Sequence, residues 1–190
     1  MVDAATSFKR SGYSDEDAAT LATVATMFQN IADEQVSAGD SADFIIAQMK
    51  AFNIEASESQ HIIDAVNEVS NNFAVSSSDL SKGLGIASAA LSVGNNSFEE
   101  LLGLMTASTE ITRNANKSAR GLVSVQSRLN QVVDENSSIG KNLTKWYQEH
   151  NVVLYDQQGQ LLSLFDVLKQ VAEIWPTLTK NEQAYYLNEQ

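Results

Sequence analysis

SSSDLSKGLGIASAALSVGNNSFEELLGL (76–104) holds a complete local grammar of helix, stop and helix. Leu80, Leu84, Ala87 and Leu91 recur at helical spacing and lie on one face. The run Ser76-Ser77-Ser78-Asp79 before them has the hydroxyls and acid of a helix start. Gly94 follows the last apolar residue, where an ending helix needs a left-handed backbone. Ser97-x-x-Glu100 then forms a capping box, in which each side chain takes an orphan backbone N–H at the next helix start. Two short helices joined by a tight polar turn are the result.

The same grammar extends in both directions. Ala18, Leu21, Ala22, Ala25, Phe28 and Ala32 share a helical face, as do Ile62, Val66, Val69 and Phe73, and Leu122, Val125, Leu129 and Val132. The widest apolar stripe is Leu161, Leu164, Phe165, Leu168, Val171, Ala172 and Trp175. Ser57-x-x-Gln60 and Thr179-x-x-Glu182 are two further capping boxes. Ser14 precedes the acids Asp15, Glu16 and Asp17, which suit the positive end of a helix dipole, and Asp40-Ser41 resembles another cap. Gly12 and Gly39 stand, like Gly94, just before a start. GYSDEDAATLA (12–22), NIEASESQHII (53–63) and GNNSFEELLGL (94–104) begin 41 residues apart each time, a weak internal repeat of helix pairs. The expected fold is all-α, an irregular bundle or a stack of short helical hairpins.

One segment departs from helix. NVVLYDQQGQLLS (151–163) has the β-rich Val152-Val153-Leu154-Tyr155 and then a turn at Gly159, which predicts a small extended or hairpin element near 151–160. NSSIGKN (136–142) reads as a polar loop around Gly140. The expected organisation is therefore a repeat-like helical region over 1–135, a linker with a short extended segment over 136–160, and C-terminal helices over 161–190.

Composition bounds the chemistry. The 190 residues contain no Cys and one Pro, so disulfides and thiolate metal sites are excluded. No run approaches the ~20 apolar residues of a membrane span, and residues 1–9 lack the apolar core of a signal peptide. The net charge of −12 falls entirely on residues 1–110, with 16 acids against 4 bases. Arg113, Lys117, Arg120, Arg128, Lys141 and Lys145 face only Asp134 and Glu135 in the later part, a basic stretch read as a solvated helix face. An acidic chain is a poor general binder of nucleic acid, and no specific nucleic-acid site is expected.

Catalytic vocabulary is scarce. His61 and His150 are the only histidines, the first read as a surface or boundary residue and the second as the end of a helix. No nucleophile elbow, phosphate-cradling loop or zinc-binding His pair is present. Gly83 and Gly85 follow no strand and are read as small residues that allow close helix packing. Asp156 to Gly159 lacks the alternate acids and closing Glu of a calcium loop. The pairs Trp146-Tyr147 and Tyr185-Tyr186 are read as half core and half surface. No catalytic, cofactor-binding or metal-binding residue and no cofactor is expected, and the chain reads as a non-enzyme.

The order of these motifs resembles the core region of phage tail tape-measure proteins, also called phage-related minor tail proteins. The resemblance is carried by IIDAVNEVSNNFAVSSSDLSKGL (62–84), GLGIASAALSVGNNSFEELLGLMTASTEITRN (83–114), SARGLVSVQSRLNQV (118–132) and VLYDQQGQLLSLFDVLKQVAEIWPTLTKNEQAYYL (153–187). It covers roughly residues 40–190 and, more loosely, the first forty; Lys117 and Arg120 depart from the smaller residues usual in the family around the SARGL segment. The resemblance implies a structural module of a tape-measure protein that sets tail length and takes part in tail assembly and DNA ejection. It implies a place in the tail lumen or tip, and synthesis in a bacterial cytoplasm from a phage or prophage gene. The implied partners are tube, baseplate or tip proteins, assembly chaperones and further copies of the chain, with membrane contact only through the full-length protein. It also implies a fragment of a longer chain, its last residues (Tyr186–Gln190) frayed or packed against a neighbour. The same caps and stripes would serve a non-viral helical adaptor or secreted effector, the alternative from residues alone.

Overall fold

The computed structural model describes residues 2–134 and 136–189. Among them are ten α-helices: α1 (Val2–Arg10), α2 (Asp15–Ile31), α3 (Ala38–Phe52), α4 (Ser59–Asn72), α5 (Ser77–Val93), α6 (Phe98–Thr112), α7 (Ala115–Leu129), α8 (Ser138–Glu149), α9 (Leu164–Ile174) and α10 (Lys180–Glu189). The protein is an all-α bundle, as expected. The described residues form two compact units, one from residues 2–89 with Phe98–Arg120 and the other from Ala90–Ser97 with residues 121–189.

In the first unit α1, α2 and α3 pack on one another, and α4 packs on α2 and α3. The apolar faces read from the sequence supply the interior: Leu21, Ala25 and Phe28 from α2, Ile62 and Val66 from α4, Leu80 and Leu84 from α5. In the second unit Leu129, Leu143, Tyr147, Leu164, Val167, Val171 and Tyr186 are buried.

Helix starts follow the side-chain caps. Ser14 accepts from the Asp17 N–H at 3.0 Å, and Ser76 from Asp79 at 3.0 Å. Both arms of the last capping box form: the Thr179 N–H donates to Glu182 at 2.7 Å, and the Glu182 N–H to Thr179 Oγ1 at 3.3 Å. Two expected starts move. The cap of α3 is Ser37, which accepts from the Asp40 N–H, so Asp40-Ser41 and Gly39 lie inside the helix. Ser57 sits in a 3-10 turn, Ala56–Glu58, and α4 begins after Glu58 with no side-chain cap.

Helix ends follow a different residue from the one expected. Gly12 is left-handed at φ 96°, but the comparable positions elsewhere are Asn53, Asn95 and Asn151, at φ 53°, 61° and 57°. After each of the four, the next N–H reaches back five residues: Tyr13 to Phe8, Ile54 to Met49, Asn96 to Leu91, Val152 to Tyr147. This back-bonding satisfies carbonyls that a helix end leaves open, and Asn tolerates the left-handed backbone better than most residues. The first three reversals fall at the three starts of the 41-residue repeat, within one residue.

One helix forms without a cap signal, and two further expectations are corrected. Residues 2–10 carry no cap signal, yet form α1: Asp3 in the first turn and Lys9 and Arg10 in the last complement the dipole, while Ala4 and Phe8 are buried one turn apart. Phe73 does not continue the buried face of α4, because the helix ends at Asn72 and Phe73 turns outward, half exposed. Residues 136–142 are not a polar loop. Ser137 caps α8 through the Gly140 N–H, and Gly140 is buried against the carbonyl of Gln131 in the 3-10 turn Asn130–Val133. A polar sequence there reflects a cap and a close backbone contact.

The extended element exists in reduced form. Tyr155 and Leu161 make a single antiparallel bridge closed by Gly159 at φ 79°. Asp156 Oδ1 accepts from the N–H groups of Gln158 and Gln160 and shapes the turn. No ladder grows from it, because Gln170 of α9 takes both backbone groups of Val153, at 2.8 and 3.0 Å. On the α9 stripe, Leu164 and Val171 are buried together with Val167, whereas Phe165, Leu168 and Trp175 are half-buried and Ala172 is exposed. Tyr186 of α10 is buried, and Tyr185 and Leu187 are exposed; Gln190, part of the expected frayed end, lies outside the described residues, as does Glu135.

Substitutions at three positions check this account. Asn53→Ala is expected to lower stability by about 1 kcal/mol in urea unfolding, and Asn53→Gly to leave it level or higher. Gly140→Ala is expected to cost ~1–3 kcal/mol, because its new methyl group meets backbone. Gly85→Ala is expected to stabilise by up to ~1 kcal/mol, because its Cβ enters open space on a helix.

Candidate functional site

Neither histidine joins a metal site: among the described residues no group of three His, Cys, Asp or Glu could hold an ion. His61 is exposed and its Nε2 lies 2.7 Å from Glu99, a surface pair. His150 ends α8, as the sequence indicated. The expected basic stretch is not one described face. Arg113, Lys117 and Arg120 belong to the first unit, and Arg128, Lys141 and Lys145 to the second. Arg113 donates to the Ala74 carbonyl at 3.0 Å, Arg128 donates to the Glu189 carbonyl at 2.9 Å, and Lys145 lies 3.8 Å from Glu149. No helix among the described residues is long and apolar enough to cross a membrane.

Each unit has a sizeable cleft. The first has a volume of about 560 Å³ and lies between the 32–37 loop, α3 and α5. Its floor includes Phe28 and Phe44, whose rings are 5.0 Å apart. The loop is strapped to the start of α5: Asp33 Oδ2 accepts from the Ser77 N–H at 2.8 Å and from its hydroxyl at 3.0 Å. Lys82 pairs with Glu34 at 3.0 Å, and that bond raises the lysine pKa above its ordinary value. Asp40 is engaged by the Ser37 hydroxyl at 2.7 Å, while Asp43 is exposed. No signal in the sequence marks this cleft, since its lining comes from residues up to 57 positions apart, Phe28 to Gly85.

The second cleft, about 440 Å³, lies between α8 and α10. Trp146 is buried between His150, stacked at 4.2 Å, and Tyr186, tilted at 4.4 Å. The Tyr147 and Tyr186 hydroxyls are 3.2 Å apart. Burial first, and Tyr147 second, push the Tyr186 phenol far above its ordinary range, so it stays neutral. His150 Nδ1 lies 2.8 Å from the Trp146 carbonyl, which turns Nε2 toward Glu182 Oε1 at 3.8 Å. Hydrogen bonds from the Thr179 side chain and backbone, with a smaller contribution from His150, hold the Glu182 carboxyl below its usual range. The aromatic pairs therefore divide: Trp146, Tyr147 and Tyr186 are core, and Tyr185 is surface. These groups dock α10 on α8; they present no nucleophile beside a base.

The family model described as phage-related minor tail protein matches residues 1–189. No solved structure matches the chain.

The Glu182 contact has a definite pH sign. A carboxyl depressed in the folded state contributes stability that is fully present above the unfolded glutamate pKa of ~4.3 and is lost as pH falls through the folded value. The acid limb of a stability–pH curve, followed by tryptophan fluorescence, is expected to be less steep in Glu182→Gln than in the parent chain.

Proposed function

We propose that this chain, which belongs to the phage-related minor tail protein family, is a globular helical module of a tape-measure protein. Family membership makes it a structural component of a phage tail, and so of the virion, that works among other tail proteins. The finer reading is that it sits within the protein that sets tail length, at the tail tip or in the lumen. There it takes part in assembly and in the departure of the ruler ahead of DNA. Its partners on this reading are tube, baseplate or tip proteins, assembly chaperones and other copies of the chain. The gene is carried by a phage or prophage and expressed in the host cytoplasm.

The observation that carries this reading is the interruption of helix. A ruler works by length, at ~1.5 Å of rise per helical residue. The longest helices among the described residues, α2 and α5, have 17 residues each. Left-handed residues at Asn53, Asn95, Arg113 and Asn151 turn the chain out of helix where the elements end. Such a segment suits a folded anchoring module better than a measuring rod. The acidic first unit, with 16 acids against 7 bases, supplies a surface for basic partners.

In-frame deletions in the phage gene test the proposal. Removing a stretch of predicted rod is expected to shorten tails in proportion, by electron microscopy. Removing residues 1–190 is expected to abolish tails rather than shorten them. Normal tails shortened by this module's length would place it in the rod and overturn the reading. An antiserum to the chain is expected to detect a virion-associated band well above 20.7 kDa.

A further inference from the structure

Gly85 has no structural reason to be glycine. It lies inside α5, where glycine costs ~1 kcal/mol relative to alanine. Its φ is not positive, and a Cβ built there would meet nothing within 4 Å. Gly83, two residues earlier, is the opposite case: a Cβ there would collide with the Met105 side chain and come within 3.3 Å of the Ala115 carbonyl. One glycine of the pair serves internal packing, and the other leaves room on the outside. That room is part of the 560 Å³ cleft of the first unit.

The rest of the cleft says what suits the space. Val36, Phe44 and Ala47 give it an apolar side. Glu34, Asp40 and Asp43 give it three carboxylates against one ammonium, Lys82, which is already paired with Glu34. Asp43 is exposed and makes no hydrogen bond or ion pair with the described residues. The unit around it is strongly acidic. An apolar groove with a negative rim attracts a segment that carries apolar and cationic side chains together.

We propose that this cleft docks a cationic amphipathic segment of a partner protein, its Lys or Arg on the Asp40–Asp43 rim and its apolar side chain against Val36, Phe44 and Ala47, in the room left by Gly85. The inference rests on the tail reading only in making the partner another tail protein. The cleft chemistry stands apart from it, and the test can fail without touching the deletion experiment above.

The probe is a short fluorescent amphipathic Leu/Lys peptide, titrated into the purified 190-residue chain at low salt and again at physiological salt. Binding is expected, weaker at the higher salt, with amide shifts confined to residues 32–47 and 78–85 in NMR spectra. Gly85→Leu fills open space on a helix and is expected to fold with unchanged circular dichroism while weakening binding by about ten-fold or more. Asp43→Lys is expected to weaken binding of the Leu/Lys peptide and to favour its Leu/Glu counterpart. Asp64→Lys on α4 changes net charge equally and is expected to have less effect. No binding of the peptide, shifts spread over the whole acidic surface, or equal losses in the Asp43 and Asp64 variants would overturn the proposal. So would full affinity in a folded Gly85→Leu chain. If that variant does not fold, the Asp43 and Asp64 pair decides.

Discussion

A helix that ends inside a compact unit leaves carbonyls without partners, and the chain must also turn back. Here both demands are met at one residue, a left-handed position whose successor donates five residues back. Gly12, Asn53, Asn95 and Asn151 all do this. The ends of α1, α3, α5 and α8 follow from where those residues fall. At the first reversal the geometry also brings Tyr13 edge-on to Phe8, 6.1 Å away, an apolar contact of the kind that accompanies this motif. Burial raises the pKa of the Tyr13 phenol, with Glu55 and Asp17 adding to the shift, and so keeps that ring neutral.

The second unit depends on a different device. Its last helix is polar along most of its length, and Tyr186 is its buried residue. Tyr186 stacks on Trp146, and the Thr179–Glu182 capping box fixes the angle at which the helix begins. Between α8 and α9 the chain has little regular structure of its own. Gln170 substitutes for a neighbouring strand by engaging both backbone groups of Val153. Side-chain amides thus do here what a sheet would do in a larger domain.

Most of the fold was legible because helical periodicity and hydroxyl caps are local signals. Leu80, Leu84, Ala87 and Leu91 are all fully buried, as their spacing requires. What was not legible was settled by partners distant in sequence or by a choice between near-equal residues. Asparagine took the left-handed role where glycine was expected, since both residues reach that backbone at low cost. Gly140 looked like a loop residue because its reason, the Gln131 carbonyl, lies nine positions upstream on another element. α1 carries no cap signal of its own, because it starts on charge complementarity and two buried apolar residues. The acidic cleft left no mark at all, since no periodicity connects Phe28, Asp43 and Gly85.

The polar inventory of the chain bears on function through where it is used. Ser14, Ser37, Ser76, Ser137, Ser163 and Thr179 cap helices. Asp33 secures a loop 44 residues away in sequence from its partner Ser77, and Asn96 bonds the Leu91 carbonyl, Gln126 and the Phe165 N–H at once. Groups committed to holding backbone in place are poor candidates for proton transfer, because each would have to give up a structural bond to act. A tail component has a different requirement: it must keep a defined surface while neighbours assemble against it. Short helices, most of them with a side-chain cap of their own, meet that requirement, because their ends are fixed by local bonds and do not depend on the length of a continuous rod. On the proposed reading, length would be encoded elsewhere in the protein, and this segment would supply a fixed point from which that length is counted.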